Sequence, residues 1–407
     1  MKNFLRNIIP TLAGILLLTA CSSEDGTYNL PDETGACARM CINIVTPIAS
    51  DADMNSNGTQ SRANDGYEAG ISLENYIDVA GGDFRIYIFR ADASDGNDTY
   101  VGCFEPEDVQ TVAFSGYLNY RVMGPAPETL LNLGGNFKLM VAANWKTYPG
   151  NTELTPGVTT IDDICIGEWA KYGILGGDGT GGGDFSLSKP SKLIPFFGIR
   201  EYNGVIFKNG EIAYLDSPIS LLRAMAKIEV IIDTTDNSPA YIKDAIITGY
   251  EKQGYSAPEG VYSESDYYHT SGTDQENWEQ NYLHTIHLVT GATSTGSRRL
   301  LRVSDTRYIA YVPEYDNTSA DATPATISLT TDIKGNVSES KQNYTLEFAK
   351  YIDGQADTSQ RFNLERNCTY RFTCKLSKNG ITVQPQAWTT EYDNEFNIGI
   401  TETEQEP

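Results

Sequence analysis

Three histidines, His269, His284 and His287, supply all the imidazole chemistry of this 407-residue chain. Zinc ligation needs side chains that converge, as two His one helical turn apart do. His284 and His287 stand three apart in a strand-like run, so their side chains leave opposite faces. They read as surface or strand imidazoles. A nucleophile needs a base beside a Ser or Cys, and the sequence has neither a Gly-x-Ser-x-Gly elbow nor a His in a catalytic setting. The glycine-rich run from Gly176 to Gly183 lacks the Gly-Lys-Ser/Thr ending of a phosphate loop. Its acids, Asp178 and Asp184, repel phosphate, so it reads as a surface loop. Asp53-Met54-Asn55-Ser56-Asn57-Gly58 opens as a calcium loop does, but Asn64 stands where the twelfth-position acid belongs. A plain loop and a weak calcium site both fit that segment. Among 54 carboxylates nothing singles out a pair for glycoside hydrolysis. The aromatic stretches Tyr262 to Tyr268 and Trp278 to Tyr282 suit either stacking on sugars or packing. The expectation is a protein with no catalytic residues, no metal and no cofactor.

The residue with the best-defined chemistry is Cys21. Lys2 and Arg6 form a short positive segment, Ile8 to Thr19 is mostly apolar, and Leu18-Thr19-Ala20-Cys21 follows at once. The apolar run is too short for a permanent membrane helix, and small residues precede the cut, which together describe a signal peptide. The order resembles the bacterial lipobox, in which the Cys thiol is acylated and becomes the first residue. Residues 1–20 are then a signal peptide and 21–35 a polar tether behind the lipidated Cys21. An ordinary secretory leader with an incidental Cys is the plainer alternative. Acyl chains contribute about 0.8 kcal/mol per buried methylene, so two or three hold a protein to a membrane well. Ser22-Ser23-Glu24-Asp25 resembles the surface-export signal of Bacteroidetes lipoproteins, which places the chain on the outside of the outer membrane. A solvated tether explains the same four residues.

Composition narrows the partners. The formal charge is −24, and loss of the leader removes Lys2 and Arg6 but no acid. Such a surface repels nucleic acid and anionic headgroups, and suits an ectodomain on a lipid tether. With Cys21 lipidated, Cys37, Cys41, Cys103, Cys165, Cys368 and Cys374 remain, too few in so long a chain for a disulfide-dense scaffold. Most read as small buried apolar residues, with their pairing left open. Cys37 and Cys41 share one face of a strand but lie too far apart to bond each other.

The elements that must position any site are strands. Residues 37–45 alternate, with Ala38, Met40, Ile42 and Ile44 on one face and Arg39 and Asn43 on the other. Ser50 to Gly66 is rich in Asp, Asn, Ser and Gly, and carries Arg62 in an exposed loop open to proteases. Strands are expected at 84–89, 110–114, 137–143, 196–199 and 204–207, a turn at 92–97, and a short helix at 161–174. A second block opens at Leu221 with a strand from Met225. It continues near 242–248, 283–289, 308–312, 325–331, 343–348, 368–376, 381–384 and 395–401. In the last of these Phe396, Ile398 and Ile400 share a face. Many short strands with regular turn signals point to an all-β protein of β-sandwich domains.

Several segments together resemble the fimbrillin family, the pilus subunits of Bacteroidales. They are Asp83-Phe84-Arg85-Ile86-Tyr87-Ile88-Phe89, Phe137-Lys138-Leu139-Met140-Val141-Ala142-Ala143-Asn144, Ile194-Pro195-Phe196-Phe197-Gly198 and Leu222-Arg223-Ala224-Met225-Ala226-Lys227-Ile228-Glu229-Val230. Tyr311-Val312-Pro313-Glu314-Tyr315, Leu364-Glu365-Arg366-Asn367-Cys368-Thr369-Tyr370 and Trp388 follow in order. The resemblance implies two tandem transthyretin-like β-sandwich domains, here 36–217 and 218–407, and no enzyme activity. It implies a lipoprotein precursor cut after an Arg by a trypsin-like protease, which frees the lipid and the first strand. A strand of a neighbouring subunit then fills the vacated groove, through backbone hydrogen bonds and alternating apolar anchors. Carried onto this chain, the cut falls between Arg62 and Ala63. The removable strand presents Met40, Ile42 and Ile44, and the donor presents Phe396, Ile398 and Ile400. Arg39 is a rival cut site, but lies inside the strand.

Partners on this reading are other pilus subunits, of the same or different kind, the outer membrane through Cys21, and a receptor on a host or bacterial surface. Alternatives stand beside it. Arg62 stays uncut in an anchor that keeps its lipid, a tip subunit carries a receptor site, and the 395–401 strand folds onto its own domain. A surface glycan-binding lipoprotein also uses sandwich domains on a Cys tether. It should present a compact aromatic platform, whereas Trp145, Trp169, Trp278 and Trp388 are dispersed.

Overall fold

Period-two alternation builds most of the molecule, and the longest such runs become the centres of its sheets. The computed structural model describes residues 37–47, 77–79, 84–114, 117–145, 154–166, 171–173, 193–215, 217–232, 240–251, 253–255, 257–258, 260–266, 295–319, 323–333, 342–352, 355–377 and 380–387. Within them the architecture is all-β, in several sheets, with two short helices.

The first half supplies β1 (Arg39–Pro47), β2 (Phe84–Phe89), β3 (Tyr100–Phe104), β4 (Asp108–Phe114), β5 (Tyr117–Pro125), α1 (Glu128–Leu131) and β6 (Phe137–Ala143). It continues with α2 (Ile161–Ile166), β7 (Lys171–Gly173), β8 (Phe196–Tyr202), β9 (Ile212–Tyr214), β10 (Ile219–Ser220) and β11 (Leu222–Arg223). One sheet runs β10-β1-β5-β4, with β9 also on β1; the other runs β11-β8-β6-β2-β3. Met40, Ile42 and Ile44 of the first sheet and Ile86, Ile88, Leu139 and Val141 of the second share one core. Strand β6 is buried on both faces along its whole length, as its near-continuous apolar run requires. Its one charge, Lys138, is compensated inside the protein: the ammonium pairs with Asp98 at 2.7 Å and donates to the Gly96 carbonyl at 2.9 Å.

The second half supplies β12 (Ala226–Ile232), β13 (Ala240–Glu251), β14 (Gln253–Tyr255), a 3-10 turn (Glu264–Asp266), β15 (Thr295–Arg299), β16 (Leu301–Ser304) and β17 (Arg307–Val312). Then come β18 (Thr326–Ile333), β19 (Gln342–Glu347), β20 (Ala349–Ile352), β21 (Gln355–Arg361), β22 (Cys368–Ser377) and β23 (Gly380–Ala387). Their main sheets run β16-β17-β12-β22-β23 and β15-β13-β18-β19, and a separate core lies between them. Ile228, Val230 and Ile232 face that core while Glu229 faces the other way, its carboxylate held by Arg307 at 2.6 Å and Arg371 at 2.5 Å.

A third core covers the outer face of the second sheet. Tyr87, Phe89, Met140, Ala142, Phe197 and Ile199 point into it from the strands. Ile161, Ile164 and Cys165 of α2 meet them, as do Ala257 and Val261 from the second half. The same region carries the pairing of β7 with β14, antiparallel from Lys171–Tyr255 to Gly173–Gln253.

Several expectations are revised. The helix expected over 161–174 ends at Ile166, and 171–173 is a strand, because it pairs with β14. The strand expected at 204–207 is a loop: Gly204 sits at φ +72°, outside extended backbone, and its N–H is taken by the Asn136 side chain at 2.9 Å. The strand expected from Met225 starts at Ala226. Ile219–Ser220 and Leu222–Arg223, which lie beyond the expected division at 217/218, pair with β1 and β8 of the first half. The strands expected at 283–289 and 395–401 lie outside the described residues.

Candidate functional site

Strand β1 is an interior strand flanked on both sides, and its bed is the candidate site. Its residues alternate until Pro47, which lacks the N–H that a further ladder bond would use. On one side it runs antiparallel to β5 through nine register pairs, from Arg39–Pro125 to Pro47–Tyr117. On the other side it runs parallel to β9, at Arg39–Ile212 to Cys41–Tyr214, and to β10, at Ile44–Ile219 and Val45–Ser220. Three further backbone bonds close that second edge. Arg39 N donates to Glu211 O at 3.0 Å, Leu215 N to Cys41 O at 2.9 Å and Leu221 N to Val45 O at 2.8 Å.

Met40, Ile42 and Ile44 are wholly buried in the first core, with Ala38 beside them. The opposite face is less solvated than the alternation implies. Arg39, Asn43 and Val45 are partly exposed, but Cys41 is also buried. Arg39, the rival cut site, pairs with Glu107 at 2.7 Å and is tied into the ladder by its backbone. Burial of three such anchors contributes about 1.5–3 kcal/mol each, on the order of 5–9 kcal/mol together. That is comparable with the whole net stability of a domain, about 5–15 kcal/mol. An emptied bed is therefore strongly driven to acquire another strand. Because the bed is close-packed, Ile42→Val should lower the stability of the intact chain by about 0.5–1.5 kcal/mol, read from the midpoint of denaturant unfolding.

The parallel wall of the bed is tied to the second half. Glu264, buried in the 3-10 turn, accepts from Ser220 N at 3.2 Å and pairs with Arg200. Burial pushes its carboxyl above the ordinary range, against Arg200 and the Ser220 amide, which pull it down. Nearby, the Tyr262 hydroxyl donates to Asp162 at 2.6 Å. Burial first, and that carboxylate second, hold the phenol well above its ordinary value. Tyr262, the first aromatic of the 262–268 stretch, packs against the third core, and buried Trp145 donates from Nε1 to Phe196 O at 3.1 Å. Trp145 therefore presents no free stacking face to a sugar.

The structure joins segments that are far apart in sequence. Arg223 donates to the Asn367 side chain at 3.1 Å, and Asn367, in the left-handed region at φ +59°, returns its N–H to Met225 O at 2.9 Å. Arg366 grips Glu314 through two bonds of 2.7 and 2.6 Å and also reaches Tyr255 O at 3.2 Å. Tyr315 and Leu364 exchange backbone bonds of 2.9 and 3.0 Å. Three of the segments singled out above thus meet at one buried polar junction.

Cys21, Arg62, Ala63, Phe396, Ile398 and Ile400 lie outside the described residues, as do the three histidines, the 53–58 and 176–183 loops and the other three tryptophans. Cys41, Cys165 and Cys374 are buried, Cys103 is partly buried beside the Tyr100 hydroxyl at 3.1 Å, and Cys37 is exposed. Among the described residues no group of His, Cys, Asp and Glu is placed to hold a metal ion. Sequence reading missed β5, whose Leu118, Tyr120 and Val122 carry a period-two signal, and β9 and β10, which are too short to carry any.

No protein-family model and no curated protein matches the sequence. The chain is similar in structure to the tip fimbrial protein Mfa3 from Porphyromonas gingivalis with C-terminal truncation: 12% identity, 86% of this chain and 99% of that one covered, TM-score 0.43. It is also similar to a fimbrial assembly protein from Parabacteroides distasonis, at 14% identity over 86% of this chain and 99% of that one, with a TM-score of 0.41. Both are described as fimbrial, and neither as an enzyme.

Proposed function

We propose that this chain is a structural, non-enzymatic subunit of a cell-surface pilus, contributing to adhesion and polymerising by protease-triggered strand exchange. On this reading it is built as two tandem transthyretin-like β-sandwich domains, with Ile219–Ser220 and Leu222–Arg223 completing the first. It is exported as a lipoprotein through Cys21 to the outer membrane and released when a trypsin-like protease cuts between Arg62 and Ala63. The observation that carries the reading is the bed of β1: a strand near the start of the chain occupies an interior sheet position, with Met40, Ile42 and Ile44 wholly buried. An interior strand that leaves opens backbone groups on two sides and an apolar floor, which is the receptor that strand addition needs. The partner is the strand bearing Phe396, Ile398 and Ile400 of another subunit. The mature polymer resides in the fimbrium, and any contact with the membrane through the lipid is transient.

The intact mass of the form at the cell surface tests this directly. A stalk subunit starts at Ala63. A mass that starts at acylated Cys21 rejects the stalk role and leaves an anchor, a lipid-retaining tip or a glycan-binding lipoprotein.

A further inference from the structure

The two walls of the β1 bed are not equally self-supporting. Strand β5 keeps its ladder with β4, from Asp108–Met123 to Phe114–Tyr117, whether or not β1 is present. Strands β9 and β10 pair, among the described residues, with β1 alone. When β1 leaves, that wall loses its ladder. A short edge without a ladder costs conformational entropy to hold straight, so something else must order it for an incoming strand.

The contacts of 217–221 on the side away from β1 do this. Adjacent amides of a strand point in opposite directions. Leu221 N–H goes to Val45 of β1 at 2.8 Å, whereas Ser220 N–H goes the other way, to the Glu264 carboxylate at 3.2 Å. The grip on Ser220 therefore does not depend on β1. Arg200 of β8 closes the arrangement: its guanidinium pairs with Glu264 and donates to the Pro218 carbonyl. Tyr202, two residues on, donates to Ser217 O at 2.8 Å. Gly198 lets the segment lie this close, since a Cβ there would stand 2.6 Å from Ser220 O. The turn that presents Glu264 is fixed in its turn, with Asp266 accepting from the amides of Tyr262 and Ser263, both at 2.8 Å.

We infer that Arg200 and Glu264 are positioning residues for strand addition. They hold the 217–221 wall at strand spacing after β1 has gone, so that the bed accepts a strand from a second copy of this chain. The inference rests on the strand-exchange reading above and adds to it the residues that keep the receptor open.

The test compares full-length wild type and Glu264→Ala, each cut after Arg62, by light scattering for polymer growth and by hydrogen exchange of the peptide spanning 217–223. Glu264→Ala should slow polymer growth about tenfold or more, the size expected when a hydrogen bond to a charged group is lost. Beyond the Ser220 amide, which loses its acceptor in both forms, exchange in 217–223 should rise in the cut variant alone, because β1 still pins Leu221 in the uncut chain. A role in general stability would raise exchange equally before and after the cut. If Glu264→Ala does not fold, Glu264→Gln, which keeps an acceptor for Ser220, and Arg200→Lys carry the same comparison with smaller effects in the same direction. Wild-type growth rates and unchanged exchange in the cut variants overturn the inference while leaving strand exchange intact. Cut wild type that stays monomeric overturns strand exchange, and this inference with it.

Discussion

Cutting the chain after Arg62 should convert monomer into SDS-resistant polymer of high mass, and deleting residues 395–407 should leave the cut chain monomeric. The size of the effect follows from the bed of β1. Nine register pairs with β5 and the parallel contacts with β9 and β10 become available at once, above a floor that had buried Met40, Ile42 and Ile44. A donor presenting Phe396, Ile398 and Ile400 in alternation matches that floor in period and in apolar character. Each anchor contributes about 1.5–3 kcal/mol on burial, and the ladder adds direction and register. Gel filtration and unheated SDS electrophoresis of the cut chain, with and without residues 395–407, measure the outcome. Monomer after a complete cut, with Phe396 retained, rejects the stalk reading. Polymer from the truncated chain shows that another segment is the donor.

Glu229→Ala should destabilise the chain by about 3–5 kcal/mol, the usual cost of removing one partner from a buried charge cluster. Glu229 lies on the central strand β12, fully buried, with Arg307 of β17 on one side and Arg371 of β22 on the other. Its loss leaves two guanidinium groups with little water and no shared anion. Replacing all three residues by apolar ones of similar volume should recover most of the loss, because desolvation of the charges disappears with them. Denaturant unfolding of the single and triple variants separates the two cases. Equal losses in both would mean that packing, rather than unpaired charge, sets the cost.

The strands of the sheets were largely legible because burial on one face writes itself into the sequence at period two. Phe84–Phe89 and Phe137–Ala143 emerge at their expected limits, and β1 carries the expected buried face of Ala38, Met40, Ile42 and Ile44. Burial of Cys41 on the other face is signalled by its residue type alone, since the alternation places it with the partly exposed Arg39 and Asn43. The segments Leu222 to Val230, Tyr311 to Tyr315 and Leu364 to Tyr370 stood out in sequence. That Arg223 meets Asn367, and Arg366 meets Glu314, had no local signal, because the partners are brought together by the stacking of sheets.

Sequence alone carries the acidic balance and the β-rich alternation, and with them the expectation of a leader ending at Cys21, because each is a property of composition or of neighbours along the chain. The place of β1 between an antiparallel and a parallel neighbour belongs to the folded state. Strands of two and three residues, β10 and β9, have no period to read, and their ladder is formed with β1. The same is true of the wall that Glu264 holds. Its carboxylate reaches Ser220 from 44 residues away, and only the packing of the second half against the first determines that the two meet.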